Sequence, residues 1–253
     1  MQLANNIIIQ VTNDCPFACK QCYAQKGKLV LPVIQAERVI DQTFKGRKGG
    51  IVQITGGEPL LYPDLEELIR FCFRRDIYTC VATSGYGATA KKLQTLKNEG
   101  LNCLCVSLNG SDKQVHQHTR EGFDFAISAL QNAKTVGIES VINWVACGSN
   151  VGDLPNIITL AKSLNVNAIC ILKKLISYDK TNQDFPTQSQ LDYLKAEVEK
   201  NKDFLLVEEC YKELNGLTQC GAGKEFFYLN ANGEIHPCSA YIHGNKPVCL
   251  KDN

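Results

Sequence analysis

Short apolar runs alternate with stretches of helical spacing along most of the chain. The runs at 6–12 (NIIIQVT), 50–55 (GIVQIT), 77–84 (IYTCVATS), 102–109 (NCLCVSLN), 138–147 (IESVINWVAC) and 166–174 (VNAICILKK) are nearly continuous in apolar character. Such runs predict strands of a parallel sheet rather than half-solvated antiparallel ones. Between them, 31–44, 63–75, 89–100, 123–137 and 153–165 carry apolar residues at helical spacing. Pro63 and Pro155 suit first helical turns, Asp153 suits an N-cap, and Gly100 and Gly137 suit helix ends. Glu66 and Glu67 complement the positive N-terminal end of the second helix.

Regular strand–helix order predicts an α/β fold: a partial (βα)6 TIM-like barrel. Six units fall short of the eight that close such a barrel and leave a lateral gap. At 177–190 the chain turns polar, SYDKTNQDFPTQSQ, as a connector does; a helix is predicted over 190–201. From Cys210 onward it is rich in Gly and Cys, and 225–238 predicts a hairpin turning at Asn232-Gly233. The expected organisation is a barrel over 1–176, a linker and bridging helix over 177–203, and a small Cys-rich extension over 204–253.

Composition narrows the function. The 253 residues support one large domain or one domain with an appendage. A net charge of +1 gives no general attraction to nucleic acid or to an anionic membrane. The start, MQLANNIIIQVTNDC, lacks a basic region, and no stretch approaches the roughly 18 apolar residues of a span. The expectation is a cytoplasmic protein with no nucleic-acid or membrane partner. Thirteen cysteines are many for a reducing compartment, so metal ligands or core fillers are expected before disulfides. Cys72, Cys80, Cys103, Cys105, Cys147 and Cys170 sit in apolar runs and read as small buried hydrophobes. His116 and His118 lie in a polar stretch and are expected to be exposed. Lys173 and Lys174 end the sixth run; they are solvated charges or partners of a substrate carboxylate.

The other cysteines form two groups. Cys15, Cys19 and Cys22 follow the first strand as C-x-x-x-C-x-x-C, on the sheet edge where α/β active sites lie. Thiolates in such a run can hold an iron–sulfur cluster, and three of them leave one iron without a protein ligand. A zinc ion borrowing a fourth ligand is the competing reading. After the second strand comes Gly56-Gly57-Glu58-Pro59, after the third Ser84-Gly85, and after the fourth Asn109-Gly110.

Taken together, the cysteine triplet, the GGEP stretch, Thr83-Ser84-Gly85, Ser107-Leu108-Asn109-Gly110 and Arg120-Glu121-Gly122 resemble the radical S-adenosylmethionine (SAM) superfamily over roughly residues 6–174. The resemblance implies a 4Fe-4S cluster on Cys15, Cys19 and Cys22, with SAM on the open iron. It implies reductive cleavage to a 5′-deoxyadenosyl radical that abstracts hydrogen. It implies contacts to the SAM amino group from Gly56, Gly57 and Glu58, and to its carboxylate from Ser84 and Arg120. Asn109 and Asn143 become candidates for ribose or adenine; strand-end polar residues serving the backbone are the plainer alternative. One position departs from the pattern: Gln21 stands before the third cysteine, where an aromatic is usual, and Tyr23 follows it. The Gln21 amide offers adenine a hydrogen bond in place of stacking.

In the tail, Cys220, Gly233 and Cys238 resemble the opening of the SPASM extension, and the shortened Twitch form fits better. The resemblance implies one auxiliary Fe-S cluster on Cys210, Cys220, Cys238 and Cys249; a zinc knuckle is the alternative. Enzymes with such tails modify ribosomally made peptides by crosslinking, epimerisation or oxidation, and others oxidise small metabolites. The expectations are therefore a peptide maturase, a small-molecule radical SAM oxidoreductase, or a non-enzymatic zinc or Fe-S protein. A flavodoxin- or ferredoxin-like one-electron reductant is implied as partner. Only fourteen residues precede Cys15, so recognition of a precursor peptide is expected to fall to the barrel, the tail or a separate precursor-recognition protein. Cys147 ends the fifth strand, where a thiol could return hydrogen to a carbon radical; the plainer reading is a core cysteine.

Overall fold

A computed structural model describes residues 5–176 and 183–240. Six strands appear in the expected places: β1 (Asn6–Gln10), β2 (Ile51–Thr55), β3 (Tyr78–Thr83), β4 (Cys103–Ser107), β5 (Glu139–Val145) and β6 (Ala168–Leu172). All pair in parallel with their sequence neighbours. The predicted helices are α1 (Val33–Thr43), α2 (Leu65–Phe73), α3 (Ala90–Asn98), α5 (Phe123–Val136), α6 (Leu154–Ser163) and α7 (Gln188–Lys200). Two short helices were not expected, α4 (Lys113–Gln117) and α8 (Lys212–Asn215).

The sheet does not stop at six strands. Leu205–Val207 (β7) adds in parallel beside β6, and Phe226–Leu229 (β8) adds in parallel beside β1. Ile235–His236 (β9) closes a hairpin on β8, giving the order β7-β6-β5-β4-β3-β2-β1-β8-β9. Its edges, β7 and β9, are not hydrogen-bonded to each other, so the barrel is open. Both added parallel strands lie in the stretch expected to form the extension. They are too short for hydrophobic pattern to distinguish from loop.

One face of the sheet is the core. Ile7, Ile9, Val52, Ile54, Val81, Leu104, Val106, Ile142, Trp144, Ile169 and Ile171 pack there with apolar residues of α1, α2, α3, α5 and α6. Strand side chains alternate between faces. The opposite face therefore carries Gln10, Gln53, Thr55, Ser107, Asn143 and the thiols of Cys80, Cys105 and Cys170, the last three only half-buried. Helices on one face and polar groups on the other are the arrangement of a partial barrel. Of the six cysteines read as core fillers, Cys72 joins the helix-covered core. Cys103 and Cys147 are buried outside it.

Three local expectations change. Asp153 stands at the N-cap position of α6 as expected, but its side chain makes no capping bond; its carboxylate accepts instead from Ser111 N (2.6 Å), Ser111 Oγ (2.8 Å) and Asn156 Nδ2 (2.9 Å). The β8–β9 loop spans 230–234 rather than a two-residue turn. Asn230 Oδ1 accepts from Asn232 N (3.0 Å) and Glu234 N (2.9 Å), and Gly233 takes φ +82°. His116 is fully buried, whereas His118 is exposed. No helix among the described residues is long and apolar enough to cross a membrane.

Candidate active site

The loop after β1 is pinched at its neck. Leu31 N donates to Val11 O (2.9 Å), Asn13 N to Leu29 O (3.2 Å) and Thr12 Oγ1 to Leu29 O (2.8 Å). Cys15, Cys19 and Cys22 lie on the loop so closed, half-buried and free of disulfides. Cys22 N donates to Cys19 O (3.1 Å), a tight turn that keeps those two together. Glu121 reaches the loop twice: its N–H meets Cys19 Sγ (3.5 Å), and its carboxylate accepts from Ala18 N (2.7 Å). Burial, with Glu58 as a negative neighbour, pushes the Cys15 thiol up. Phe17 packs on Tyr86 and Phe125, with ring centroids 5.9 and 5.8 Å away.

The GGE stretch clamps this loop. Gly57 N donates to Thr12 O (2.7 Å) and Glu58 N to Asp14 O (2.7 Å). A Cβ on Gly56 would stand 2.9 Å from Thr12 O, and one on Gly57 would collide with the Asp14 carbonyl. The close approach that demands glycine here is therefore to the loop of thiols itself. Glu58 is fully buried. Its Oε1 accepts from Thr83 Oγ1 (2.7 Å) and Leu60 N (3.1 Å), and its Oε2 from Ser84 N (2.9 Å) and Ser84 Oγ. Burial raises its pKa while these donors pull it back. Ser84 thus turns toward Glu58.

Asn109 is fully buried, and both protons of its amide go to protein acceptors, Gln21 Oε1 (2.7 Å) and Thr119 Oγ1 (2.9 Å). Asn143 lies on the inner face of β5, level with Ser107 and Cys170 of the neighbouring strands. Arg120 follows Thr119, and its Nε is buried with no hydrogen-bond partner among the described residues. The Cys147 thiol is buried, pushed up to about 12 by desolvation, and directed at Gln21 Oε1 (3.6 Å). Lys173 is not a solvated charge: its Nζ pairs with Glu213 (2.7 Å). Lys174 is buried, 5.0 Å from the Phe185 ring centroid.

The tail reaches the same loop. Tyr23, pushed up to about 12 by burial, hydrogen-bonds Ser239 and has Cys22, Glu208 and Cys238 as electrostatic neighbours. Tyr228 on β8 also neighbours Tyr23, Cys22 and Cys238. Cys210 hydrogen-bonds the half-buried Glu208. Cys220 is half-buried ahead of β8, and Cys249 lies outside the described residues. Sequence reading missed Tyr23, Tyr228 and Glu208 as a junction, because it depends on the β1–β8 pairing. It also missed Thr119 and His116; an Asp112 N-cap, accepting from Val115 N (2.9 Å), was the only local signal of α4.

Among the described residues no three His, Cys, Asp or Glu side chains are gathered as around a single metal ion. A cluster asks for less closure, since each thiolate binds a different iron. The chemistry of the donor set fits: three thiols on one loop, with an orphaned guanidinium N–H on the residue before Glu121.

A model described as the Radical SAM superfamily matches residues 9–161, more than half of the chain. Solved structures share the fold. SuiB of Streptococcus suis bound to the precursor peptide SuiA matches with a TM-score of 0.80 at 19% identity, over 97% of this chain and 62% of that one. The chain thus spans less than two thirds of SuiB. The protein anSMEcpe with bound AdoMet and the Kp18Cys peptide gives 0.73 at 15% identity, over 98% and 79%. Methylornithine synthase (PylB) gives 0.64 at 16%, over 81% and 64%.

Proposed function

Because the chain belongs to the radical SAM superfamily, we propose that it cleaves S-adenosylmethionine reductively and modifies a ribosomally made peptide. Cys15, Cys19 and Cys22 hold the SAM-binding 4Fe-4S cluster in this reading; Gly56, Gly57, Glu58, Ser84 and Arg120 border SAM, with Asn109 and Asn143 on the strand ends beyond. The chemistry supplied by the bound group is one-electron cleavage of the sulfonium, giving a 5′-deoxyadenosyl radical for hydrogen abstraction. The observation that carries the reading is Arg120. A buried guanidinium N–H without a partner is costly until an anion arrives, and a carboxylate is the anion its geometry suits. The buried Glu58 carboxyl stands behind the loop and ties Ser84 to it.

The peptide substrate is supported by the shared fold with SuiB bound to SuiA and with anSMEcpe bound to a peptide, and by an inner sheet face that carries the polar side chains of Gln53, Thr55, Ser107 and Asn143. A small-metabolite substrate is the second reading, favoured by the likeness to methylornithine synthase. Residues 204–253, of which β7 and β8 pair with β6 and β1, serve as the extension beyond the barrel of 1–176 and the segment 177–203. There Cys210, Cys220, Cys238 and Cys249 hold one auxiliary Fe-S cluster. A flavodoxin- or ferredoxin-like carrier supplies electrons, and a separate protein recognises the precursor.

The test is anaerobic incubation of iron-loaded protein with SAM, dithionite and a precursor peptide encoded beside it, read by mass spectrometry. 5′-Deoxyadenosine and a peptide mass change are expected. A colourless zinc protein, or full iron with no 5′-deoxyadenosine, refutes the radical chemistry. 5′-Deoxyadenosine with an unchanged peptide moves the substrate to the small-molecule class.

A further inference from the structure

A buried polar network joins the loop of thiols to the ends of two strands. Its centre is Asn109, just past β4. Besides the amide bonds to Gln21 and Thr119, Asn109 Oδ1 accepts from Val145 N (3.1 Å) at the end of β5. Asn109 N donates to His116 Nδ1 (3.1 Å), and Asn109 O accepts from Asn150 Nδ2 (3.0 Å). Asn150 also holds Val145 O (2.9 Å) and accepts from Cys147 N (2.8 Å). His116 faces Glu121 O at 3.2 Å through Nε2. A backbone N–H can only donate, so Nδ1 is the acceptor and Nε2 carries the proton.

Gln21 is where this network meets the loop. It is 8% exposed. Its Oε1 takes the Asn109 amide and the Cys147 thiol, and its backbone N donates to Thr119 O (3.3 Å). The residue immediately before Cys22 is therefore held through both side chain and main chain. A shift there passes to Cys22, and through the Cys22 N–Cys19 O bond to Cys19.

We propose that Gln21 and Asn109 are positioning residues: their hydrogen bond sets where the Cys22 thiol stands relative to the ends of β4 and β5. This rests on the radical SAM reading for its consequence, since the placement of Cys22 fixes the placement of the cluster against SAM. It assigns Asn109 to the protein scaffold rather than to ribose or adenine. It gives Gln21 Oε1 a role that does not depend on contact with the ligand.

Two substitutions separate this role from the alternatives. Gln21→Met keeps length and bulk but removes the acceptor. Gln21→Glu keeps an acceptor for Asn109 Nδ2 and removes the amide donor. The readouts are iron content, the change that SAM produces in the electron paramagnetic resonance spectrum of the reduced protein, and the rate of SAM cleavage. In Gln21→Met the SAM-induced spectral change is expected to be lost or altered, with cleavage falling about ten-fold or more, the equivalent of one lost hydrogen bond to a buried donor. Gln21→Glu restores the wild-type spectral change. A wild-type response in Gln21→Met overturns the proposal, as does equal loss in both variants, which assigns Gln21 to ligand contact through its amide N–H. If Gln21→Met takes up no iron, Gln21→Glu decides alone: a wild-type response supports the proposal and any loss overturns it. If wild-type protein holds iron yet never responds to SAM, it is the radical SAM reading that fails. The hydrogen bond is then read by amide hydrogen exchange at Gln21 and Cys22. Exchange about ten-fold faster in Gln21→Met supports it, and unchanged exchange overturns it.

Discussion

Lowering the pH from about 7.5 to about 5 is expected to weaken the fold specifically through His116. The ring is buried, and desolvation pulls its pKa from 6.5 to about 4. Its hydrogen bond to Glu121 O opposes that shift, and the neighbouring Arg120 charge adds to it. The Phe123 ring packs edge-on at 5.6 Å and contributes no charge. A folded-state pKa below the unfolded one means the unfolded chain takes up the proton first, so stability is lost as pH falls through the unfolded value. At about pH 5 the unfolded histidine is favoured by a factor of about 30, or about 2 kcal/mol, against nearly nothing at about pH 7.5. Protonation also removes the Nδ1 lone pair that holds Asn109 N. The assay is urea unfolding of iron-loaded protein under anaerobic conditions, followed by far-ultraviolet circular dichroism and by Trp144, the chain's single tryptophan. Other groups titrate in the same window, so the measured quantity is the stability gap between wild type and His116→Asn, which keeps an acceptor near the Nδ1 position. That gap should shrink by about 2 kcal/mol over the interval. A gap constant to within about 0.5 kcal/mol would refute the argument.

Glu58→Gln places an amide donor against a ring of donors from Thr83, Ser84 and Leu60; a loss of about 2 kcal/mol in chemical unfolding and weaker SAM binding by calorimetry are expected. Gly57→Ala drives a Cβ into the Asp14 carbonyl, whereas Gly152→Ala meets nothing within 4 Å. Iron incorporation should collapse in the first and stay at wild type in the second. Cys19→Ala is expected to abolish 5′-deoxyadenosine formation, while Cys238→Ala retains part of it with roughly half the iron; equal loss in both would make the tail thiols structural.

Much of this was legible from local pattern. The six central strands and their helices lie within a few residues of the positions that hydrophobic spacing assigns them. The loop of Cys15, Cys19 and Cys22 is a property of eight consecutive residues, and so are the capping of α5 by Gly137 and the acidic first turn of α2. Errors arose where short segments take their state from distant partners. β7 and β8 are strands because β6 and β1 present unpaired edges to them. His116 looked exposed because its neighbours are polar, yet it is buried by residues of the β4 and α5 ends.

Local pattern along the chain sets the order of elements, the sheet edge on which the chemistry sits, and the three thiols with their GGE partner stretch, because each is encoded in residues close together. What those residues touch follows from the folded arrangement. Gln21 meets Asn109 across 88 positions, Glu58 meets Ser84 across 26, and Tyr228 reaches the loop of Cys22 because β8 pairs with β1. Such contacts follow from strand register and from the burial of polar groups that must find partners once water is excluded, and no periodicity along the chain records them.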